Sequence, residues 1–150
     1  MRPVTDSRRY PSRPFLAVSA AIVRDGKVLA VRRARSPALN LYTLPGGGVE
    51  IGETLHEAVI REVREETGLD VEPVTLAGER EVIVRDAQGQ VERHFVILCF
   101  AARWRAGEPV LNDELDDARW IDPAEIGNLR TTEGLADIVA AAVARLAGGA

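Results

Sequence analysis

Three carboxylates, Glu62, Glu65 and Glu66, fall where a helix would ordinarily be apolar. On a helix over 54–67 turning about 100° per residue, Leu55, Ala58 and Val59 lie within about 60° of Glu62, and Glu65 and Glu66 share that sector. The stripe is therefore apolar at the start of the helix and acidic one or two turns later. Carboxylates about 6 Å apart repel by roughly 2–3 kcal/mol per pair at an effective dielectric near 20, before desolvation is counted. Two remedies exist: raised pKa values that leave the acids protonated, or a hard divalent cation, whose preferred ligands are clustered carboxylate oxygens. With three acids the cation is the better remedy. The competing reading is a solvated acidic face, but Glu57, Arg61 and Arg64 already take the outward positions.

The residues ahead of the helix point the same way. Leu44-Pro45-Gly46-Gly47-Gly48 ends an extended run with three glycines, a composition suited to positive φ angles and to close approach by another group. Glu53 falls in or near the first turn, where the helix dipole favours a negative charge, and Thr54 is a capping residue. Gly68 stands where a helix C-cap is preferred. Alone, the glycines would read as a flexible turn; at fixed spacing from the acids they offer main chain to a ligand.

These residues resemble the signature of the Nudix hydrolase family, G-x5-E-x7-R-E-U-x-E-E-x-G-U with U a bulky aliphatic residue. Gly47, Glu53, Arg61, Glu62, Glu65, Glu66 and Gly68 match the fixed letters, and Val63 and Leu69 fill the aliphatic slots. Nine specified positions are far more specific than a lone glycine fingerprint. The resemblance implies water attack on a phosphorus of a nucleoside diphosphate linked to a further group, with magnesium or sometimes manganese polarising the phosphate. It implies Glu62, Glu65 and Glu66 as metal-ligating carboxylates, the carbonyl of Gly46 as a backbone ligand, and an Arg61–Glu53 ion pair that keeps helix and glycine loop in register. The base varies in similar enzymes. Among Asn112-Asp113-Glu114-Leu115-Asp116-Asp117, Glu114 is the first choice for a fourth ligand or base, with a solvated turn as the alternative.

The substrate so implied is an anion. Arg32, Arg33 and Arg35 lie just before the glycine loop, and guanidinium forks suit phosphate oxygens. Strand alternation sends Arg32 and Arg33 to opposite faces, so at most one of that pair points inward; the other reading is a solvated basic loop. Arg93 could reach a pocket rim, whereas His94 reads as structural. Aromatic residues number three Phe, two Tyr and two Trp. Tyr42 and Phe15 could line a nucleobase pocket, although packing is the plainer role for both, and Trp120 reads as core.

Positioning these groups requires a mixed α and β scaffold. Leu16 to Arg24 reads as a strand turned by Asp25-Gly26 into Lys27 to Arg32, a hairpin signal. After the acidic helix come strands at Val71 to Leu76, Arg80 to Arg85 and Val91 to Trp104, then a short strand at Ala118 to Ile121. Asp122-Pro123-Ala124-Glu125 begins a helical turn, and Thr131 to Leu146 forms the last helix. Helices thus flank a mixed sheet, compatible with the α/β/α sandwich that the resemblance implies. Residues 1–14 read as a loose arm and 15–147 as one domain, since 150 residues suit a single core.

Composition narrows the setting. A net charge of −4 gives no reason to expect duplex nucleic acid as a partner. The single Cys99 excludes an intrachain disulfide, suits a reducing compartment and, among Val96, Ile97, Leu98 and Phe100, reads as core. The first residues lack the apolar stretch of a signal peptide, and the run from Leu135 to Leu146 carries Asp137 and Arg145 and is too short to span a bilayer. The expected setting is cytoplasmic, away from membranes; similar proteins often pair as homodimers, which nothing in the sequence demands.

Substrate identity is less legible. Subgroups of the family carry a proline or a tyrosine about 16 residues beyond the box, or an upstream coenzyme A motif. Glu81 to Gln88 holds neither proline nor tyrosine. A nucleoside triphosphate, cleaved to monophosphate and pyrophosphate, is favoured, with ADP-ribose or another nucleotide sugar open. The alternative of another class is a nucleotide-binding sensor without turnover, against which the complete box argues.

Overall fold

The computed structural model describes residues 8–148. Its strands are β1 (Phe15–Arg24), β2 (Lys27–Arg33), β3 (Tyr42–Thr43), β4 (Gly46–Gly48), β5 (Asp70–Arg85), β6 (Val91–Ala106) and β7 (Leu115–Ile121); its α-helices are α1 (Leu55–Thr67) and α2 (Leu135–Gly148). The strands form one mixed sheet in the order β3-β2-β1-β6-β5, with β4 pairing β1 and β7 pairing β2.

β1 is the axis of this sheet. Its run from Ala17 to Ile22, apolar except for Ser19, is buried throughout, as expected of a strand covered on both faces. It pairs parallel to β6 from Phe15↔Phe95 through Val23↔Arg103 and antiparallel to β4. Alternation divides it between two cores. Val18, Ala20 and Ile22 pack with Ala58, Val59 and Val63 of α1. Ala21 packs with Ile138, Val139 and Ala142 of α2. One helix therefore lies on each face, giving the mixed sheet flanked by helices.

The β1–β2 turn forms at Asp25 and Gly26, both at positive φ, 50° and 77°, which matches the right-handed strand twist. Thr54 caps α1: its side chain accepts from the Glu57 amide while the Glu57 side chain accepts from the Thr54 amide. Gly68 closes the helix at φ 74°.

Three expectations change. The segments at 71–76 and 80–85 form the single strand β5, because register shifts at Pro73/Thr75 and Leu76/Gly78 absorb the irregular stretch without ending the ladder. α2 starts at Leu135 rather than Thr131, since Thr131 bridges to Tyr42 and Gly134 takes φ 78°. Of the segment 1–14, Met1 to Ser7 lie outside the described residues, whereas Arg9 and Tyr10 bond to the β5–β6 hairpin instead of hanging loose. No described helix is long and apolar enough to cross a membrane.

Candidate active site

The acidic helix and the glycine strand meet face to face. α1 and β4 both pack against β1, so the inward stripe of α1 lies beside Gly46–Gly48. None of these three glycines takes positive φ, contrary to the sequence expectation; β4 is extended because it pairs with β1. For Gly46 and Gly47 the value of glycine is room. A Cβ on Gly47 would lie 2.3 Å from a Glu62 carboxylate oxygen, and one on Gly46 would lie 2.0 Å from the Val18 carbonyl oxygen. Gly48 has nothing within 4 Å of that position.

Arg61 is the hub. Its Nε and Nη2 donate to the two Glu53 carboxylate oxygens at 2.6 and 2.9 Å, and Nη2 also donates to the Gly48 carbonyl at 2.9 Å. Nη1 reaches Glu62 at 2.9 Å and Glu65 at 3.2 Å. Although its position on the helical wheel read as outward, the long side chain turns back over the glycine strand. The guanidinium holds the Glu53 carboxyl down at about 2, and its own pKa is raised in return.

Glu66 lies deepest. It is 4% exposed, and its Oε1 accepts from the Gly46 amide at 2.8 Å. Burial, above the single backbone hydrogen bond, pushes its pKa up to about 8, with Glu114 and Glu62 adding repulsion and Arg33 opposing. Glu62 is also raised, by burial first, against Arg61. Glu114 thus stands within electrostatic reach of both helix acids. Its loop is fixed by backbone bonds from Val110 to Thr67, from Asn112 to Glu66 and from Ala34 to Glu114.

As they stand, no three Asp, Glu, His or Cys side chains among the described residues are gathered tightly enough to hold a metal ion. Arg61 occupies Glu62 and Glu65, and the Gly46 amide occupies Glu66. The donor set nonetheless fits a hard divalent cation: only oxygens, with one buried carboxylate raised by burial and by its acidic neighbours.

The acids form one wall of a groove of about 690 Å³. Glu62, Glu65, Glu66 and Glu114 line it together with Gly46–Gly48, and Arg8, Arg33, Arg35, Arg80 and Arg93 line it as well. Arg33 points in, half-buried, with Nε donating to the Pro37 carbonyl at 2.6 Å; burial lowers its pKa. Arg35 bridges to Asp113 at 2.7 Å at the exposed mouth. Arg32 is not brought to the groove. It turns to Asp116 at 2.6 Å and lies over the Tyr42 ring, as the alternation rule requires once Arg33 faces in. Tyr42 is also outside, buried with its hydroxyl donating to Asp117. Glu53 and Arg61 sit behind the acids and not on the groove.

Sequence reasoning missed Arg80, Phe95 and Arg8. Arg80 and Phe95 face the groove because β5 and β6 pair with Arg80 opposite Ile97 and Val82 opposite Phe95. The alternation Arg80, Val82 was the available signal; the parallel β1–β6 register that carries it to the acids was not.

Comparison with known proteins agrees with this geometry. A family profile described as the NUDIX domain matches residues 13–142. An ADP-ribose pyrophosphatase of Methanocaldococcus jannaschii is 37% identical over 73% of this chain and 62% of its own length. The nucleoside triphosphatase NudI of Salmonella agona is 33% identical over 73% of this chain and 82% of its own. The crystal structure of a MutT NUDIX hydrolase from Burkholderia pseudomallei superposes with a TM-score of 0.69 at 29% identity, covering 86% of this chain and 98% of that one.

Proposed function

The chain belongs to the NUDIX domain family, and from that premise we propose that it is a metal-dependent pyrophosphohydrolase of a nucleoside diphosphate linked to a further group. A nucleoside triphosphate, split to monophosphate and pyrophosphate, is the first substrate class. The observation that carries this reading is buried Glu66, faced by Glu62 and Glu114, on a groove that also holds the half-buried cation Arg33.

Glu62, Glu65 and Glu66, with the Gly46 backbone beside them, would hold Mg²⁺ or Mn²⁺, which when bound polarises phosphate oxygens and makes a water easier to deprotonate. Arg33 places its guanidinium against the phosphates and orients the diphosphate for attack. Glu114 takes the proton of the attacking water on its carboxylate as the oxygen bonds to phosphorus and the bridging P–O bond breaks. Arg61 contacts no substrate; it fixes Glu53 and the Gly48 carbonyl, and so the spacing of α1 from β4. The single buried cysteine suits the cytoplasmic setting proposed for such chemistry.

ADP-ribose is the second reading, favoured by the 37% identity to the archaeal pyrophosphatase. Hydrolysis of a panel of triphosphates, nucleotide sugars, dinucleotides and capped RNA in Mg²⁺, with products identified, tests the proposal. Monophosphate and pyrophosphate from triphosphates support the first reading, and ribose phosphate with AMP the second. Tight nucleotide binding without turnover on any member would make the protein a sensor and overturn both.

A further inference from the structure

Arg8–Tyr10 lie ahead of residue 13, where the family match begins, yet they are fastened to the fold. The Tyr10 amide donates to the Glu92 carbonyl at 2.7 Å, its hydroxyl to Asp86 at 2.8 Å, and Arg9 pairs with Glu92 at 2.7 Å. These anchors straddle the turn between β5 and β6. Tyr10 takes φ 51°, a conformation that a bulky residue keeps only where surrounding contacts hold it. The strap delivers the Arg8 guanidinium 5.9 Å from the centroid of the Phe95 ring, and both residues line the groove.

Phe95 is a fixed platform. Its ring tilts against Phe15 at a centroid distance of 6.3 Å, and Val82 stands opposite it in the ladder. Gly47 pairs with Val18, Val18 with Leu98, and Phe15 with Phe95. Phe95 is thus two strands across and three residues along from the glycine beside Glu62, about 14 Å by strand geometry. That is the reach of a nucleotide from its phosphates to its base. A flat guanidinium above an aromatic ring suits a third flat ring stacked on Phe95, with Arg8, now 5.9 Å from the ring centroid, shifting outward to admit and cover it, because both faces stack on π systems.

We propose that Arg8, delivered by this strap, is a specificity-determining residue that covers a nucleobase lying on Phe95 at the end of the groove remote from the acids. The inference rests on the nucleotide reading above and names where the base sits. The platform Phe95 lies within the matched region, whereas the covering residue Arg8 lies ahead of it.

Steady-state kinetics of the full chain with a nucleoside triphosphate and with base-free tripolyphosphate test it. Arg8→Ala and Phe95→Leu should each raise KM for the nucleotide about tenfold with kcat within twofold, and leave KM for tripolyphosphate unchanged. Arg8→Lys, which keeps the charge but not the flat face, should behave as Arg8→Ala. Nucleotide KM within twofold of wild type in Arg8→Ala, or an equal rise on tripolyphosphate, overturns the proposal while leaving the hydrolase reading standing. Should the wild type turn over no nucleotide, the hydrolase reading fails. The strap is then judged by calorimetric nucleotide affinity, which should fall about tenfold in Arg8→Ala; unchanged affinity would overturn it.

Discussion

The guanidinium of Arg61 grips both carboxylate oxygens of Glu53, at 2.6 and 2.9 Å, across the entry to the acidic helix. The same guanidinium binds the Gly48 carbonyl, so one side chain ties the start of α1 to the end of β4. Lysine cannot reproduce such a fork. Arg61→Lys is expected to lower kcat by about tenfold or more through misplacement of the helix acids, with KM changed far less. Kinetics at saturating Mg²⁺ beside a circular-dichroism melt would check this, and an unchanged kcat would remove Arg61 from its positioning role.

The pair also sets an acid limit. The folded pKa of Glu53 lies at about 2, below the ordinary 4.5. Its stabilisation is therefore complete above 4.5 and is lost as pH falls from there toward 2. The gap in Tm between wild type and Glu53→Gln should hold steady from pH 5 to 7 and close in strong acid. A gap independent of pH would contradict the pairing.

Glu66 works with the opposite sign. Its folded pKa of about 8 lies above 4.5, so in metal-free protein its ionisation opposes folding increasingly as pH rises through that window. In EDTA at pH 8, Glu66→Gln should melt several degrees above wild type. Added Mg²⁺ should raise the wild-type Tm and not that of the variant. A variant less stable than wild type in EDTA at pH 8 would show that the carboxylate is compensated by something other than a cation.

The three glycines of β4 separate room for the backbone from room for the site. Gly47→Ala pushes a Cβ into Glu62, and the expected outcome is a folded protein with kcat lowered about a hundredfold, as misplacement of a reacting group can cost. Gly46→Ala meets the Val18 backbone and should cost about 1–3 kcal/mol of stability by overpacking. Gly48→Ala meets nothing within 4 Å and should be silent. Equal behaviour of all three in thermal melts and kinetics would refute this division.

Arg32 and Arg33 provide an internal control. Only Arg33 lines the groove, so Arg33→Ala should raise KM about tenfold or more, by loss of a charged hydrogen bond, while Arg32→Ala leaves it within twofold. The reverse order would mean that the substrate lies on the other face of β2.

Much of this site could be read from the chain because its parts are local. The caps Thr54 and Gly68 and the inward positions of Glu62 and Glu66 depend on one helix, and Asp25-Gly26 depends on one turn; Glu65, expected in the same inward sector, is instead 57% exposed at the edge of the groove. Arg80 and Phe95 were not legible, since what brings them to the groove is the parallel pairing of β1 with β6 across about 80 residues of chain. The inward turn of Arg61 was legible only through family resemblance, because its wheel angle alone sends it outward. Of the two roles read for the glycines, positive φ is absent and close approach holds at Gly46 and Gly47, a distinction that rests on the pairing of β4 with β1.

Calorimetric titration of Mn²⁺ into the wild-type and Glu66→Gln proteins at pH 8 tests most directly whether the acidic pocket is a cation site. Saturable binding by the wild type, weakened at least tenfold in the variant, is the expected result. Equal affinity in the two proteins, or no binding by the wild type at millimolar metal, would contradict it.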